Sequence, residues 1–475
     1  MKYKKIAFAS AFLLASLIPQ LRAQNIFGEW TGATSDDWSV SSNWDNNGAS
    51  YVPGTDTAND TARIYNNTAS SPDPTSFNTV LKTGSVSLQR IWLGNSGDSN
   101  ESGVLTVESG ASLTTSGDFN LENNSTLTSS GAILVNTGNG LLARDDSVVT
   151  LKNGSTLNKL NLEQNSTATL EDGSTLDTLR LTGNTQATMQ AGSSVTTLQL
   201  TSDSHLTMNS VYTGNVSAGG GSSVTINGTI DGNLDFNTSG TGLIGENGTV
   251  TGNLGIGRTA SVTVNGTVDG RININADASL TLNGTCAGDF KLNSTAMVYI
   301  NEGATVSGNA EFDNDDQVTI AGNINGAGKI FFVKGNAAVT ILPTANILSD
   351  GNNSWIYDTP TITWKVGADG SIGTLKTSRL EPNAGQFDGE WRYNSTEVVL
   401  VVDLTDCVVY GSDITLQLVS DIQNEETFAS KVTFLNNGED VTSDFTWDGE
   451  NSGSFTGSIA NPQPDADGDG VCCSD

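Results

Sequence analysis

Residues Gly228–Gly303 read, in four successive segments, GTIDGNLDFNTSGTGLIGENG, TVTGNLGIGRTASVTVNG, TVDGRININADASLTLNG and TCAGDFKLNSTAMVYINEG. The segments share one pattern, in which a glycine-containing turn, a short alternating strand, a polar corner and a second alternating strand follow one another. Their equivalent threonines, at positions 229, 249, 267 and 285, are 20, 18 and 18 residues apart. A nearly constant period of this length is typical of a solenoid, in which each repeat forms one turn.

Apolar and polar residues alternate over short runs within each repeat, as in Ser261-Val262-Thr263-Val264 and Ser279-Leu280-Thr281-Leu282. Such alternation indicates a strand with one buried face. Glycine and asparagine stand between the runs, where turns often require positive φ. One rung cannot bury its apolar side alone, but rungs stacked in register can. We therefore predict an all-β fold, a parallel β-helix or β-solenoid with rungs of about 18–20 residues. The pattern decides neither the handedness nor the number of faces.

Changes in the pattern along the chain predict six segments. The most regular repeats start at Gly154, Gly173 and Gly192, which are 19 residues apart. The pattern becomes irregular and aromatic after the repeats, and a short β region and an acidic end follow. The predicted segments are 1–23, a signal peptide; 24–102, an aromatic N-terminal cap with the first rungs; 103–345, the solenoid repeats; 346–403, the closing end of the solenoid; 404–460, a small C-terminal β region; and 461–475, an Asp-rich tail.

The first 23 residues have the composition of a signal peptide. Three lysines precede the apolar run Ile6–Ile18, and Ala23 supplies a small residue suited to cleavage. We therefore expect a secreted, extracellular or cell-surface protein with no transmembrane segment after signal cleavage. Its partners would be cell-surface or matrix components, including polysaccharide. The formal charge of −31 over 475 residues argues against nucleic acid, because such a surface repels phosphates.

The N-terminal segment differs from the repeats and is rich in tryptophan. It carries Trp30, Trp38 and Asn43-Trp44, followed by Val52-Pro53-Gly54-Thr55-Asp56. This pattern resembles the N-terminal segment of exported bacterial β-solenoid proteins of the autotransporter-associated β-strand-repeat type. The resemblance implies an extracellular or surface β-solenoid and no particular activity. The sequence departs from many members of that family at its C-terminus, where no apolar sorting helix followed by basic residues is recognisable.

Two interpretations of these tryptophans stay open. A solenoid end exposes strand edges and must be capped, and aromatic side chains in a compact loop can cover it. Alternatively, exposed tryptophan rings can stack on sugars. Buried rings would favour the cap, and an exposed coplanar pair would favour glycan binding.

The acidic tail has the start of a calcium-loop pattern. Asp465, Asp467 and Asp469 alternate before Gly470, as in the loops of EF-hand, dockerin and thrombospondin type 3 repeats. We predict calcium ligation by these residues together with Asp475, although the chain lacks the acid at position 12 of an EF-hand loop. The alternative is a solvated acidic linker. No cofactor is required in either case.

Four cysteines in 475 residues exclude a disulfide scaffold. Cys286 occupies the slot of Val250 and Val268 in the preceding repeats and is expected to be a buried, small apolar residue. Cys407, Cys472 and Cys473 could pair in an oxidising compartment. The sequence does not determine which two would do so.

β-Helices often carry polysaccharide-cleaving sites, so a catalytic set in the repeats is one possibility. The sequence lacks the G-H-G and R-I-K motifs of polygalacturonase-like hydrolases, and His205 is its one histidine. The strongest acidic cluster, Asp313-Asn314-Asp315-Asp316, supplies the paired carboxylates that glycoside hydrolysis needs. It stands in a corner between strands, where acids are commonly solvated, as does Arg144-Asp145-Asp146. We therefore predict no catalytic residues and no enzymatic activity.

Threonine at repeated positions is also a feature of ice-binding solenoids, in which a flat threonine face orders water. Thr263 and Thr281 repeat in one slot, but Tyr299 takes that slot in the next repeat. Neighbouring Asp and Asn residues are expected to interrupt the array further.

The combined pattern predicts a structural or adhesive β-solenoid without catalytic activity. Two alternatives remain from other classes: a carbohydrate-active β-helix lyase or hydrolase, and a non-catalytic glycan-binding module. An acidic cluster beside a Lys, Arg or Tyr in one groove would favour the enzyme. Exposed aromatic pairs would favour the glycan module.

Overall fold

The computed structural model describes residues 27–46, 51–55, 59–65, 67–68, 78–95, 101–275, 277–293, 295–325, 331–348, 355–356, 359–376, 385–387, 390–392, 398–420, 429–449 and 453–460. The fold is a parallel β-solenoid of about 12 turns, with rungs about 20 residues apart. The predicted all-β solenoid is therefore confirmed. The chain divides into two compact units, Met1–Ala168 with Ser174–Leu176, and Thr169–Gly173 with Asp177–Asp475.

The first unit stacks its rungs as three rows of parallel strands. One row contains Thr79–Leu81, Val104–Val107, Thr126–Ser129 and Val148–Leu151. The second contains Gly84–Leu88, Ala111–Thr115 and Ala132–Val135. The third contains Phe27–Trp30, Thr61–Ile64, Arg90–Leu93, Phe119–Leu121 and Leu141–Ala143. The long strand Thr156–Glu163 pairs with both the second and third rows, because no corner interrupts it there.

Short elements complete the first unit. Trp44–Asp45 pairs antiparallel with Phe27–Trp30, and a 3₁₀ turn, Ser41–Asn43, precedes it. Asn67–Thr68 pairs antiparallel with Glu101–Ser102. The units divide within the strands Thr167–Leu170 and Thr175–Thr182.

The second unit also has three parallel sheets, here named sheets 1, 2 and 3. Sheet 1 contains Gln186–Met189, His205–Met208, Ser223–Ile226, Thr241–Ile244, Ser261–Val264, Ser279–Leu282, Met297–Ile300, Gln317–Ile320, Ala338–Ile341, Thr361–Lys365, Val399–Asp403 and Val432–Asn436. Sheet 2 contains Val211–Thr213, Thr229–Asp231, Thr249–Val250, Thr267–Val268, Thr285–Cys286, Thr305–Val306, Asn323–Ile324, Asn346–Leu348, Thr374–Lys376 and Val419–Ser420. Sheet 3 contains Val216–Ala218, Leu234–Phe236, Leu254–Ile256, Ile272–Asn275, Phe290–Asn293, Ala310–Phe312, Phe331–Val333 and Trp355–Ile356.

The remaining strands lie outside these three sheets or extend them. Ser194–Thr201 precedes the regular rungs, and Glu439–Asp440 pairs antiparallel with Val432–Asn436. Gly385–Phe387 pairs antiparallel with Glu390–Arg392. A 3₁₀ turn, Thr442–Asp444, leads into a three-stranded antiparallel sheet of Asp413–Gln417, Ser454–Ser458 and Phe445–Trp447.

The core of the second unit is built from ladders of like residues. Val262 lies beside Leu280 and Val264 beside Leu282 in register, and all four side chains are buried. Phe290 and Phe331 extend such a ladder through Ala310. Phe312 belongs to the neighbouring ladder, and its ring meets the rings of Phe290 and Phe331 edge to face at centroid distances of 6.3 and 5.5 Å. This in-register stacking of apolar side chains is the main stabilising contribution to each rung.

Glycine ladders form the tight corner between sheets 1 and 2. A Cβ placed on Gly284 would lie 2.0 Å from the carbonyl oxygen of Gly266, and one on Gly266 would lie 2.1 Å from that of Gly248. A side chain at Gly266 or Gly284 would therefore clash with the backbone of the preceding rung.

Candidate functional site

Over nine of its strands, the outward side of sheet 1 is a long surface without charged side chains. We name it the uncharged face and define it as the outward residues of the nine strands from Gln186–Met189 to Ala338–Ile341. They are Gln186, Thr188, His205, Thr207, Ser223, Thr225, Thr241, Leu243, Ser261, Thr263, Ser279, Thr281, Met297, Tyr299, Gln317, Thr319, Ala338 and Thr340. None of these described residues is Asp, Glu, Lys or Arg.

Unbroken parallel pairing keeps this face in two straight rows. Thr263 lies beside Thr281 on the neighbouring strand, Thr281 beside Tyr299, and Tyr299 beside Thr319. The same register holds at the other strand pairs of the face. The row that contains Thr263 is therefore mostly threonine, with Leu243 and Tyr299 as its exceptions.

The outward side of sheet 3 carries charge instead. We name it the charged face and define it by Ser217, Asp235, Gly255, Asn273, Lys291 and Glu311. The Lys291 ammonium lies 3.0 Å from the Glu311 carboxylate. Lys334, at the corner after sheet 3, lies 3.4 Å from Glu311 and 2.8 Å from Asp313. Lys291, Glu311, Lys334 and Asp313 thus form a chain of ion pairs within the unit.

Asparagine side chains line the corner where sheet 1 ends. The Asn283 amide donates to the Asn265 side-chain oxygen at 2.7 Å, and the Asn301 amide donates to Asn283 at 2.7 Å. In such a ladder, each amide side chain forms a hydrogen bond with the equivalent side chain of the next rung. It also borders the uncharged face with neutral groups along this stretch.

The predicted acidic cluster is part of the backbone architecture. Asp316 is fully buried, and its carboxylate accepts hydrogen bonds from the backbone N–H groups of Ala296 and Asp313, both at 2.9 Å. Burial raises the pKa of Asp316 to about 6. Asp313 pairs with Lys334, and Asp315 accepts a hydrogen bond from the Asn336 amide at 3.3 Å. The three carboxylates therefore close a corner rather than face a common groove.

The other candidate polar residues also have structural positions. Arg144 pairs with the buried Glu122 of the preceding rung and lies 3.8 Å from Asp145. Asp145 and Asp146 have positive φ angles of 55° and 60°, as tight corners require. His205 is exposed on the uncharged face.

The three N-terminal tryptophans are buried. Trp38 and Trp44 meet edge to face at 4.6 Å, and Trp30 meets Trp44 at 5.0 Å. The Trp44 indole N–H donates to the Trp38 carbonyl at 2.8 Å. Asn43 holds the preceding loop by accepting from the backbone N–H groups of Thr34 and Ser35. Rings packed in this way are unavailable for stacking on sugars, so their burial favours the capping interpretation.

The cysteines and the predicted calcium site differ in how far the structure describes them. Cys286 is buried in register with Val268 and Val306, and burial raises the pKa of its thiol to about 12. Cys407 is buried as well. Cys472, Cys473 and the predicted calcium ligands Asp465, Asp467, Asp469 and Asp475 lie outside the described residues. Within the described ranges, no group of three or more His, Cys, Asp or Glu residues is placed to hold a metal ion.

The comparisons with known proteins give one match. Residues 204–311 match a family described as Bactofilin, polymer-forming cytoskeletal. The match covers less than half of the chain, so it indicates a similarity of this segment. No curated protein matches the chain, and no solved structure does. The prediction of a bacterial β-solenoid with a structural role agrees with this match. The matched family is non-enzymatic, which agrees at family level with the prediction of no activity.

The match to this family also shows that the prediction of a secreted, extracellular or cell-surface protein is wrong. The matched family consists of cytoplasmic polymer-forming cytoskeletal proteins, and this conflicts with secretion. The predicted signal peptide, Met1–Ala23, lies outside the described residues. The N-terminal resemblance to the exported autotransporter-associated type remains a resemblance. Among the helices of the described residues, none has the length and apolar character needed to cross a membrane.

The uncharged face is the feature that the sequence analysis missed. The signal was present, because Ser or Thr recurs two residues before Thr in several repeats. In the sequence, Asp and Asn residues stand next to that array. In the structure Asp277 and Asn283 lie in the corners on either side of Ser279–Leu282, so they do not interrupt the face.

Proposed function

We propose that this protein is a non-catalytic structural protein whose copies associate with one another into a polymer. The match of residues 204–311 to a polymer-forming family carries this proposal. The matched segment starts just before the strand His205–Met208 and ends within Ala310–Phe312. It therefore consists of regular rungs from the second unit. The proposed partners are other copies of the chain, in place of the matrix components or polysaccharide predicted above.

The architecture supports this role because a solenoid of uniform rungs is a stiff element. Each rung repeats the backbone hydrogen bonds of its neighbour, and the core ladders run through every rung. The net charge of −31 acts against assembly at low ionic strength. Salt shortens the Debye length from ~30 Å at 0.01 M to ~8 Å at 0.15 M, so polymerisation is expected to increase with salt.

Electron microscopy and light scattering of the purified full chain test the proposal. The measurements compare salt concentrations of about 0.01 and 0.15 M over a range of protein concentrations. Elongated polymers that increase with both protein and salt are the expected result. A monodisperse monomer under all of these conditions would contradict the proposal.

The non-catalytic part of the proposal has a separate test. The protein is incubated with acidic and neutral polysaccharides, with calcium or with a chelator, and newly formed reducing or unsaturated ends are measured. No turnover is expected. Turnover that disappears in a variant carrying Asp313→Asn and Asp315→Asn would assign an enzymatic function instead.

A further inference from the structure

The uncharged face stands out in a strongly acidic chain. Charged residues make up 15% of the sequence and the net charge is −31, yet the 18 outward residues of this face include no Asp, Glu, Lys or Arg. Two copies that approach through acidic parts of the surface bring like charges together. The uncharged face avoids that repulsion, since like charges placed opposite each other are costly at an interface.

Three large side chains on this face are exposed. Leu243, Met297 and Tyr299 expose 37%, 44% and 43% of their surfaces. The Tyr299 hydroxyl lies 3.7 Å from the Met297 sulfur, so the two form one raised cluster. Aromatic residues and methionine are enriched in protein–protein interfaces, and charged residues are depleted from interface centres. The composition of the face therefore fits a protein partner.

The positions of Leu243 and Tyr299 are related by a simple symmetry. They share one row, in which Leu243, Thr263, Thr281 and Tyr299 occupy four successive strands. The midpoint between Thr263 and Thr281 is therefore also the midpoint between Leu243 and Tyr299. A two-fold axis through that point and along the strands would place Leu243 of one copy over Tyr299 of the other.

We infer that a second copy of this chain packs antiparallel on the uncharged face, about this two-fold axis. The inference rests on the proposed polymer-forming function and names the surface through which copies associate side by side. Thr263 of one copy then lies over Thr281 of the other at the centre. Met297 lies over Thr241 of the opposing copy. The contact uses the same patch twice, as a two-fold interface requires.

The size of the face is sufficient for such a contact. Under this axis the eight strands from His205–Met208 to Ala338–Ile341 lie over one another. At about 4.8 Å between strands and four residues of about 3.3 Å each, the overlapping area is about 38 by 13 Å. Two such areas bury about 1,000 Å² in total, which exceeds most crystal-packing contacts and falls in the range of weak, transient interfaces. A small contact of this kind is expected to be reversible in a single pair and to gain strength when many copies align.

Cross-linking tests the antiparallel register directly. Packed sheets lie about 10 Å apart, which is too far for a disulfide but matches a short bismaleimide. The experiment uses a background in which Cys472 and Cys473 are replaced by serine, and mixes single variants Leu243→Cys and Tyr299→Cys. The mixture is expected to give cross-linked dimers, and each variant alone little. Equal cross-linking in Leu243→Cys alone, or none in the mixture, would overturn the register.

Charge substitutions test the face itself with a matched control. Thr263→Glu with Thr281→Glu places four like charges at the centre of the contact and is expected to reduce dimer cross-linking at least about tenfold. The control, Thr267→Glu with Thr285→Glu, adds the same charge on the same rungs but on sheet 2, where both threonines are half-buried as on sheet 1. Equal losses in the two variants would overturn the inference. Circular dichroism verifies that both variants fold.

A rescue experiment separates loss of contact from loss of fold. Because Thr263 faces Thr281 in the antiparallel pair, a copy with Lys at both positions should pair with a copy that has Glu at both. Cross-linking in that mixture is expected to return to the unsubstituted level. Failure of rescue would contradict the inference. Single filaments without side-by-side pairing would contradict this inference and support the proposed polymer-forming function. Side-by-side pairs without filaments would support this inference and contradict the polymer-forming function.

Discussion

The uncharged and charged faces share the same rungs and differ in what their outward residues do. On the charged face, Lys291 and Glu311 satisfy each other within the unit, and Lys334 adds two further contacts. On the uncharged face, as far as the structure describes it, the outward side chains form no ion pairs with one another. Tyr299 and Met297 contact each other through their side chains. Substitutions on the charged face should therefore change folding stability, and those on the uncharged face should change association.

The corner that separates sheets 1 and 2 should be the most sensitive position in these rungs. Gly284→Val places a branched side chain where a Cβ already meets the Gly266 carbonyl at 2.0 Å. We expect a loss of roughly 3 kcal/mol or more in the free energy of unfolding, measured by urea titration. Gly138→Ala is the control, since a Cβ there meets nothing within 4 Å. Equal stability of the two variants would contradict the role of the corner.

The charged face gives the next largest effect. Lys334→Met removes the cation between Glu311 and Asp313 and is expected to lower the free energy of unfolding by about 1–3 kcal/mol. The loss should diminish as NaCl increases. Thr263→Val on the uncharged face should stay within about 0.5 kcal/mol. If the two substitutions destabilise equally, the division of roles between the faces is wrong.

Asp316 lies at the boundary of the uncharged face, and its burial should make the free energy of unfolding depend on pH. Burial raises its pKa in the folded state to about 6, above the usual 3.8, so the folded state binds this proton more tightly than the unfolded state. The cost of its charge is full above pH 6, diminishes as the pH falls from 6 to 3.8, and is absent below 3.8. Relative to Asp316→Asn, the unsubstituted protein should gain about 1–3 kcal/mol between pH 7 and pH 4. Parallel stability profiles of the two proteins over this range would contradict the assignment.

Cys286 provides the smallest expected effect. Its neighbours in the ladder are Val268 and Val306, so Cys286→Val should change the free energy of unfolding by less than about 1 kcal/mol. The raised pKa of the buried thiol also predicts slow labelling by iodoacetamide in the folded protein and fast labelling in urea. Rapid labelling of the native protein at Cys286 would show that the core ladder opens readily.

The sequence predicted the rungs well because their signals are local. Strands start at Thr229, Thr249, Thr267 and Thr285, the threonines from which the period was counted. The register between Ser261–Val264 and Ser279–Leu282 is the one that the repeat alignment gives, and the fold class is confirmed. Hydrophobic alternation and glycine turns determine these features without reference to distant parts of the chain.

The surface chemistry could not be predicted in the same way. A corner residue such as Asp277 is two positions from Ser279 in the sequence, yet it belongs to a different side of the rung. The burial of Asp316 depends on the backbone of Ala296, one rung earlier. Which polar residues share a face depends on where each corner turns, and the alternating pattern does not specify this.

Sedimentation velocity of three proteins tests the central claim most directly. They are the unsubstituted chain, the variant with Thr263→Glu and Thr281→Glu, and the variant with Thr267→Glu and Thr285→Glu, compared at equal concentration and at low and physiological salt. We expect larger species to form in the unsubstituted chain and in the sheet 2 variant, to increase with salt, and to be reduced in the uncharged-face variant alone. Identical distributions for all three proteins, or a larger loss in the sheet 2 variant, would contradict this claim.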